Sequence, residues 1–388
     1  MVLLGIVSML TDVSSESVSA VLPLYLTAQL GLGFVAYGFI DGLYQGVSAL
    51  VRILGGYLAD RADRPKWVAA IGYGVSTVSR IALLPAHGFA AVTAIISADR
   101  LGKGLRTAPR DALIAGASTP DTVGRAFGVH RTLDTLGAAG GPLVAFAVLA
   151  AVPGGYDSVF VVSFAFAVVG LAVLVLFVAD GRSAVPARPS TRRLLAGMTS
   201  RSMRRPLLAA AILGLLTVGD GFLYLSLQRR DDLASAMFPL LYVGTNIAYL
   251  GLAVPLGRLA DRIGRARVLV GGHLALVGAY VAAGGPFTGP TTVLVLLLLG
   301  AFYAATDGVL PALVSRLVPA DARGSGIAAA QTVVAVARFG SSVAFGSLWV
   351  AVGRGPALLL LAALLAAALP VAAWLLGPAD RLTPSVVS

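Results

Sequence analysis

Apolar runs of about 20 residues, the length of helix that crosses a bilayer core of about 30 Å, recur from one end of the chain to the other. Short breaks rich in Gly, Pro or charge separate them. They predict helices near 2–29, 34–58, 67–84, 90–114, 124–151, 157–179, 206–227, 234–257, 267–285, 290–315, 325–351 and 355–377. The runs are too long for strands and lack the period-two alternation of a spanning barrel. The pattern predicts an all-α integral membrane protein of about twelve spans. The first run begins at Met1 without an A-x-A-like cleavage site, so it reads as the first span rather than a signal peptide.

Composition strengthens this reading. The 388 residues are 57% hydrophobic and only 12% charged. A soluble chain of that length needs more charge to cover its surface, so the excess apolar residues must face lipid. The net charge of +11 does not point to nucleic acid, because most basic residues fall in short loops between apolar runs. Arg61, Arg64 and Lys66, the arginines between 182 and 205, Arg258, Arg262, Arg265 and Arg267, and Arg316 and Arg323 share one side. The other side offers chiefly Arg229, Arg230 and Arg354. The Arg-rich side is then cytoplasmic, and an even number of spans puts both termini there, in the cell membrane. There are no cysteines, and His87, His130 and His273 are too scattered for a local metal motif. No cofactor is expected. No nucleophile–base pair or Walker-type phosphate loop points to an enzyme or to ATP as an energy source.

The stretch 180–205, with two prolines and seven arginines, reads as a cytoplasmic linker between two six-helix halves, 1–179 and 206–388. It is either a solvated topology signal or a basic segment lying on anionic lipid. The halves repeat. Gly56, Asp60, Arg61 and Arg64 are echoed by Gly257, Asp261, Arg262 and Arg265, about 200 positions later. Ala112-Leu113 recurs as Ala312-Leu313, Gly124 as Gly324, and Leu24-Tyr25-Leu26 as Leu223-Tyr224-Leu225 at a similar offset. Two such halves imply parallel repeats about an axis along the membrane normal, one rocking against the other.

With these motifs the chain resembles the major facilitator superfamily over its whole length. The G-x-x-x-D-R-x-G-R-[RK] loop is that family's signature; Asp63 stands where glycine is expected, and the second copy keeps Gly264. The resemblance implies that Asp60 caps a helix start near Gly324–Ser325 and that Arg64 pairs with Asp111, as a cytoplasmic latch. A carboxylate at a helix N-terminus meets free N–H groups, which makes such a cap physically sound. Arg100-Leu-Gly-Lys103-Gly104 is similar to the R-x-x-Q-G element of the drug:proton antiporter branch, with lysine for glutamine. Gly128, Gly137, Gly141 and Pro142 fit that branch's helix-5 pattern, though Ala145 and Phe146 replace its last two glycines. The RLGKGLRTAPRD element together with Thr11–Glu16 looks like a bacterial subgroup of efflux proteins.

Ionisable residues inside membrane helices are functional candidates by default. Asp12, Glu16, Ser19 and Pro23 are spaced four, three and four, on one face of helix 1. Asp99, Lys103, Arg106 and Arg110 share a face of helix 4 at the same spacing, with Arg100 beside them. Helix 5 adds His130, Arg131 and Asp134; Asp41, Arg52 and Arg80 fall in helices 2 and 3. The second half holds Asp220, Asp307 and Arg338. The resemblance implies that helices 1, 4, 7 and 10 line a central cavity, so the stripes on helices 1 and 4 are expected to face each other. The first half would then handle protons and a charged substrate group, and Phe222, Tyr224, Phe302 and Tyr303 would grip apolar parts. Structural ion pairing is the competing reading of each charge, and a lipid-facing or packing role that of Phe302 and Tyr303.

The function expected is proton-coupled efflux of a small amphiphilic organic compound by alternating access, from a monomer in contact with lipid. A proton symporter importing an organic anion is the alternative on the same fold. A membrane sensor or lipid-handling protein is the reading from another class.

Overall fold

The structure is a computed structural model that describes residues 2–44, 46, 65–119, 122–180, 201–318 and 323–380. Among the described residues it is helical, without strands. Nine of its helices are long and apolar enough to cross a membrane.

The chain forms two compact units. Unit 1 comprises Met1–Gly33, Leu43–Arg188 and Ala234–Val243; unit 2 comprises Phe34–Gly42, Pro189–Leu233 and Gly244–Ser388. Each therefore takes one short segment from the opposite half of the sequence.

In unit 1, α1 (Val2–Leu24) runs on through a π-helical turn at Tyr25–Gln29. α2 occupies 34–44, and only its last residues belong to this unit. Then follow α3 (Pro65–Ala82), α4 (Gly88–Gly116), α5 (Val123–Ala151) and α6 (Tyr156–Phe177). Leu4, Val7, Ala69, Tyr73, Ile114 and Leu174 form part of its core.

Small residues set the spacing of these helices. A Cβ on Gly137 would meet the Met9 carbonyl oxygen at 2.4 Å, and one on Gly141 would meet Glu16 Cβ at 2.7 Å. Ser17 also donates to the Gly141 carbonyl at 2.9 Å. Close backbone approach is how membrane helices gain packing energy without a hydrophobic drive. α3 crosses α4 in the same way, Gly72 against Gly102. Overpacking at such contacts costs about 1–3 kcal/mol or more. Gly137→Leu should accordingly lower the melting temperature of the purified protein. Gly128→Leu should leave it unchanged, because nothing lies within 4 Å of a Cβ there.

In unit 2 the span expected at 206–227 is broken. α7 (Arg201–Leu215) stops, and α8 (Asp220–Asp231) begins after four non-α residues. The break falls at Thr217-Val218-Gly219, two β-branched residues before a glycine in extended conformation. Tyr280 repairs it: its hydroxyl accepts from the Val218 N–H at 3.0 Å and donates to the Leu216 carbonyl at 3.2 Å. Irregular backbone at membrane depth survives only when protein groups satisfy it in this way. The span expected at 290–315 is interrupted too, as α11 (Pro290–Thr306) and α12 (Val309–Val314), at Asp307–Gly308.

α9 (Phe238–Ile263), α10 (Arg265–Gly284), α13 (Arg323–Val352) and α14 (Arg354–Asp380) complete the chain. α9 extends past the predicted 257, so Gly257, Asp261 and Arg262 are helical rather than in a loop. No breaker intervenes until Gly264, whose φ of 106° is open to glycine.

The three cations expected on the sparsely charged side are held in place within unit 2. Arg230 pairs with Asp231 at 2.7 Å and donates to the Ala282 carbonyl and Thr292. Arg354 donates to Ser226 and the Ala283 carbonyl, and Arg229 lies 4.7 Å from the centre of the Phe34 ring. Their packing role accounts for their departure from the charge bias of the loops.

Candidate functional site

Unit 1 brings the charged stripes of α1 and α4 face to face. The helices run antiparallel, so descending positions on α1 meet ascending positions on α4. Glu16 is 3.6 Å from Lys103, and Asp12 is 3.8 Å from Arg106. One turn further, Arg110 donates to Ser8 at 3.2 Å. The Arg106 guanidinium also lies 4.5 Å from the centre of the Tyr73 ring, which fixes its plane.

α5 closes this ladder at the Ser8 end. Ser8 donates to Asp134 at 2.8 Å, and Arg110 stands 3.9 Å from the same carboxylate. The carboxyl groups of Asp12 and Asp134 meet closely enough to share a hydrogen bond. Two carboxyl groups brought together favour holding a proton between them, because like charges at close range repel when both ionise. Arg131 approaches Asp134 from the exposed side at 3.4 Å. His130 is buried, and neither ring nitrogen has a hydrogen-bond partner among the described residues.

Asp99 and Arg100 do not join the ladder. Asp99 is 2.8 Å from Arg80 and is also gripped by Arg100, with all three side chains almost fully buried. Arg100 stacks on Tyr44 at 3.7 Å. This triad is closed, whereas the Glu16–Lys103 pair of the ladder stays about one-third exposed (30% and 32%). A reachable pair can exchange partners, and the closed triad clamps α4 against α3.

Of the latch residues, Gly56, Asp60, Arg61 and Arg64 lie outside the described residues. Asp111 takes Arg110 at 3.0 Å. In unit 2, Arg265 pairs with Asp261 at 3.0 Å and donates to the Ala312 carbonyl at 2.7 Å. Arg262 is exposed, and Gly257 has open space around it. Gly137 and Gly141 are required by the contact with α1, Pro142 is buried beside them, and Gly128 faces open space.

Unit 2 holds a second polar cluster that the stripe argument did not reveal. Asp220, the first residue of α8, accepts from Tyr303 of α11, and Arg338 of α13 donates to the same hydroxyl at 3.4 Å. Asp41 accepts from Ser342 at 2.7 Å. A Cβ on Gly219 would strike the Asp41 carboxylate at 2.1 Å, so the glycine at the helix break admits the acid. Asp307 is exposed at the break between α11 and α12. Of the aromatic residues expected to grip apolar parts, Phe222, Tyr224 and Phe302 are buried, Phe222 edge-on to Tyr37, and Tyr303 belongs to the polar cluster. Among the described residues no cluster of His, Asp or Glu is placed to hold a metal ion.

Two helical units, each holding ionisable groups among long apolar helices, fit a polytopic membrane protein. Residues 4–341 match the Major Facilitator Superfamily, and the chain belongs to it. It is a secondary transporter by family. An uncharacterised transporter of the same type from Methanocaldococcus jannaschii is 30% identical over 353 residues, 89% of this chain and 87% of the relative. An uncharacterised protein of Mycobacterium tuberculosis is 29% identical over 336 residues, covering 83% of this chain and 79% of its own. Among solved structures, the nucleoside transporter NupG superposes with a TM-score of 0.80 at 15% identity, covering 98% of this chain and 99% of that one. A POT family transporter in complex with 5-aminolevulinic acid reaches 0.81 at 13% identity, covering 98% and 96%. At those identities the likeness shows the fold alone.

Proposed function

We propose that this chain is a proton-coupled transporter of a small amphiphilic organic compound bearing an anionic group, working by alternating access. The observation that carries the reading is the shared contact of Asp12 and Asp134 beside Arg106 and Arg110. With one proton on the acid pair, Arg106 is left without a full counter-charge and can take an anionic substrate group, with the more exposed Lys103 as a second cation. Loss of the proton leaves both acids ionised; they then draw Arg106 and Arg110 back, and the substrate anion is released. Proton and substrate anion are thus bound together and released together, a positive linkage that moves them in the same direction.

Efflux in exchange for protons is the second reading; the linkage supports import of an organic anion with protons. One further observation favours import: Gly137 and Gly141, which carried the exporter pattern, are fully explained by packing on α1. The cationic ladder itself suits either direction.

The test is a reconstitution. Protein in liposomes loaded with a pH-sensitive dye is screened against organic anions, zwitterions and cations under an imposed proton gradient. Co-directional flow of protons with an anionic or zwitterionic compound is expected. Counterflow selects the efflux reading. Transport by Asp12→Asn and Asp134→Asn proteins that keeps its full dependence on the pH gradient would overturn proton coupling at this site.

A further inference from the structure

The cluster in unit 2 is unbalanced in charge. Asp41 and Asp220 bring two carboxyl groups, and Arg338 is the cation within Coulombic reach of both. Yet Arg338 forms no close ion pair with either among the described residues; it donates to Tyr303, and its Nε has no hydrogen-bond partner. Each carboxyl group is instead satisfied by one neutral hydroxyl, Ser342 for Asp41 and Tyr303 for Asp220. Among the described residues the remaining neighbours add no positive charge. Tyr37 and Tyr280 are phenols within reach of these acids. His273 is tied by Nδ1 to the Leu269 carbonyl and lies edge-on to Phe302.

We infer that this cluster is a second proton site, at which Asp41 and Asp220 together carry one proton and Arg338 takes the carboxylate when that proton leaves. Two acids against one guanidinium leave one negative charge uncompensated at membrane depth, and burial of an unpaired charge is costly. A single proton restores neutrality. A metal ion fits less well, since one oxygen of each carboxyl is already committed to a hydroxyl. An organic ammonium fits less well too, because Phe222 and Tyr37 are packed against each other and offer no free ring face. Asp41, Asp220, Tyr303 and Arg338 all keep part of their surface accessible, so water can deliver the proton.

Deprotonation has a defined consequence. Arg338 would leave Tyr303 and pair with Asp220, pulling α13 against the start of α8 beside the helix break. For its part in transport this inference rests on the proton-coupled reading above; the protonation itself does not.

The experiment is an infrared titration of the full-length protein in lipid nanodiscs, following the carbonyl stretch of protonated carboxyl groups in water and in D2O. Wild type is expected to show two titrating carboxyl signals, one per unit. Asp220→Asn should erase the unit 2 signal. Asp41→Asn should erase the same signal, since removing one acid leaves the other to be neutralised by Arg338. Tyr303→Phe should shift the signal without abolishing it, because a hydrogen-bond donor is lost while the charge count stands; this variant tests the assignment even where an aspartate variant fails to fold. A wild-type spectrum unchanged by Asp41→Asn, Asp220→Asn and Tyr303→Phe overturns the inference. Loss of the other signal with Asp12→Asn, or its persistence, bears only on the unit 1 site.

Discussion

Asp99→Ala should leave little folded protein. The carboxylate lies between Arg80, at 2.8 Å, and Arg100, with all three side chains nearly sealed from solvent. Removing it strands two guanidinium groups side by side in the interior. Breaking a buried pair by deleting one partner typically costs about 3–5 kcal/mol, and here two like charges are also left facing each other. Against a total stability of about 5–15 kcal/mol for a folded domain, that loss is a large fraction. Thermal unfolding of the purified variant should show a strongly lowered midpoint or aggregation. Replacing the whole triad with apolar residues, Arg80→Met with Asp99→Leu and Arg100→Met, should recover much of the stability, because well-packed apolar groups can substitute for a buried ion cluster. An Asp99→Ala protein that melts with the wild type would show that water or another group compensates the arginines. The triad would then not be what fixes α4.

The rotation of α4 matters because the triad and the ladder lie on one helix. With Asp99 and Arg100 locked towards α3 and Tyr44, helical geometry places Lys103, Arg106 and Arg110 towards α1. The sequence made that juxtaposition legible, since charges at spacings of three and four on two apolar helices have few places to go but towards each other. It could not show that Asp99 leaves the stripe, because the partner that takes it, Arg80, stands alone in its own helix. The Asp12–Asp134 contact was hidden for a related reason: spacing within a helix says which residues share a face, not which face of a third helix closes over it.

In unit 2 the sequence was less informative, and the cause is again physical. Aromatic residues such as Phe222 read equally well as cavity lining or as packing, since both demand apolar area; burial decides. Asp41 sits in an N-terminal helix but belongs to unit 2, and no periodicity in its own segment announces a partner some 300 positions away. The break at Thr217-Val218-Gly219 carried a weak signal in its β-branched residues and glycine, yet the mean apolarity of the run concealed it. The glycines of α5 teach the converse. A spacing that matches a functional pattern is met here by the steric demand of Met9 and Glu16.

Arg106→Lys should abolish most transport while leaving the fold intact, and Lys103→Arg should be tolerated. The two cations face the same carboxylate stripe but are held differently. Arg106 is almost fully buried, set 3.8 Å from Asp12 and 4.5 Å from the centre of the Tyr73 ring. A planar guanidinium on a ring face offers two parallel donors to a carboxylate, and lysine reproduces the charge but neither the plane nor the fork. Lys103 is about one-third exposed, 3.6 Å from Glu16, and acts as a point charge for which arginine is an adequate replacement. Keeping the charge at 106 avoids stranding Asp12, so stability should hold. Losing the geometry of a buried charge contact should cost about 2–5 kcal/mol in the substrate-bound state, a drop of at least about 30-fold in transport efficiency. Initial rates in liposomes, with the compound found by the proton-flux screen, separate the two variants. Equal loss at both positions would mean that the ladder acts only through net charge. Wild-type transport by Arg106→Lys would remove Arg106 from the substrate's path and leave the acid pair to couple protons without it.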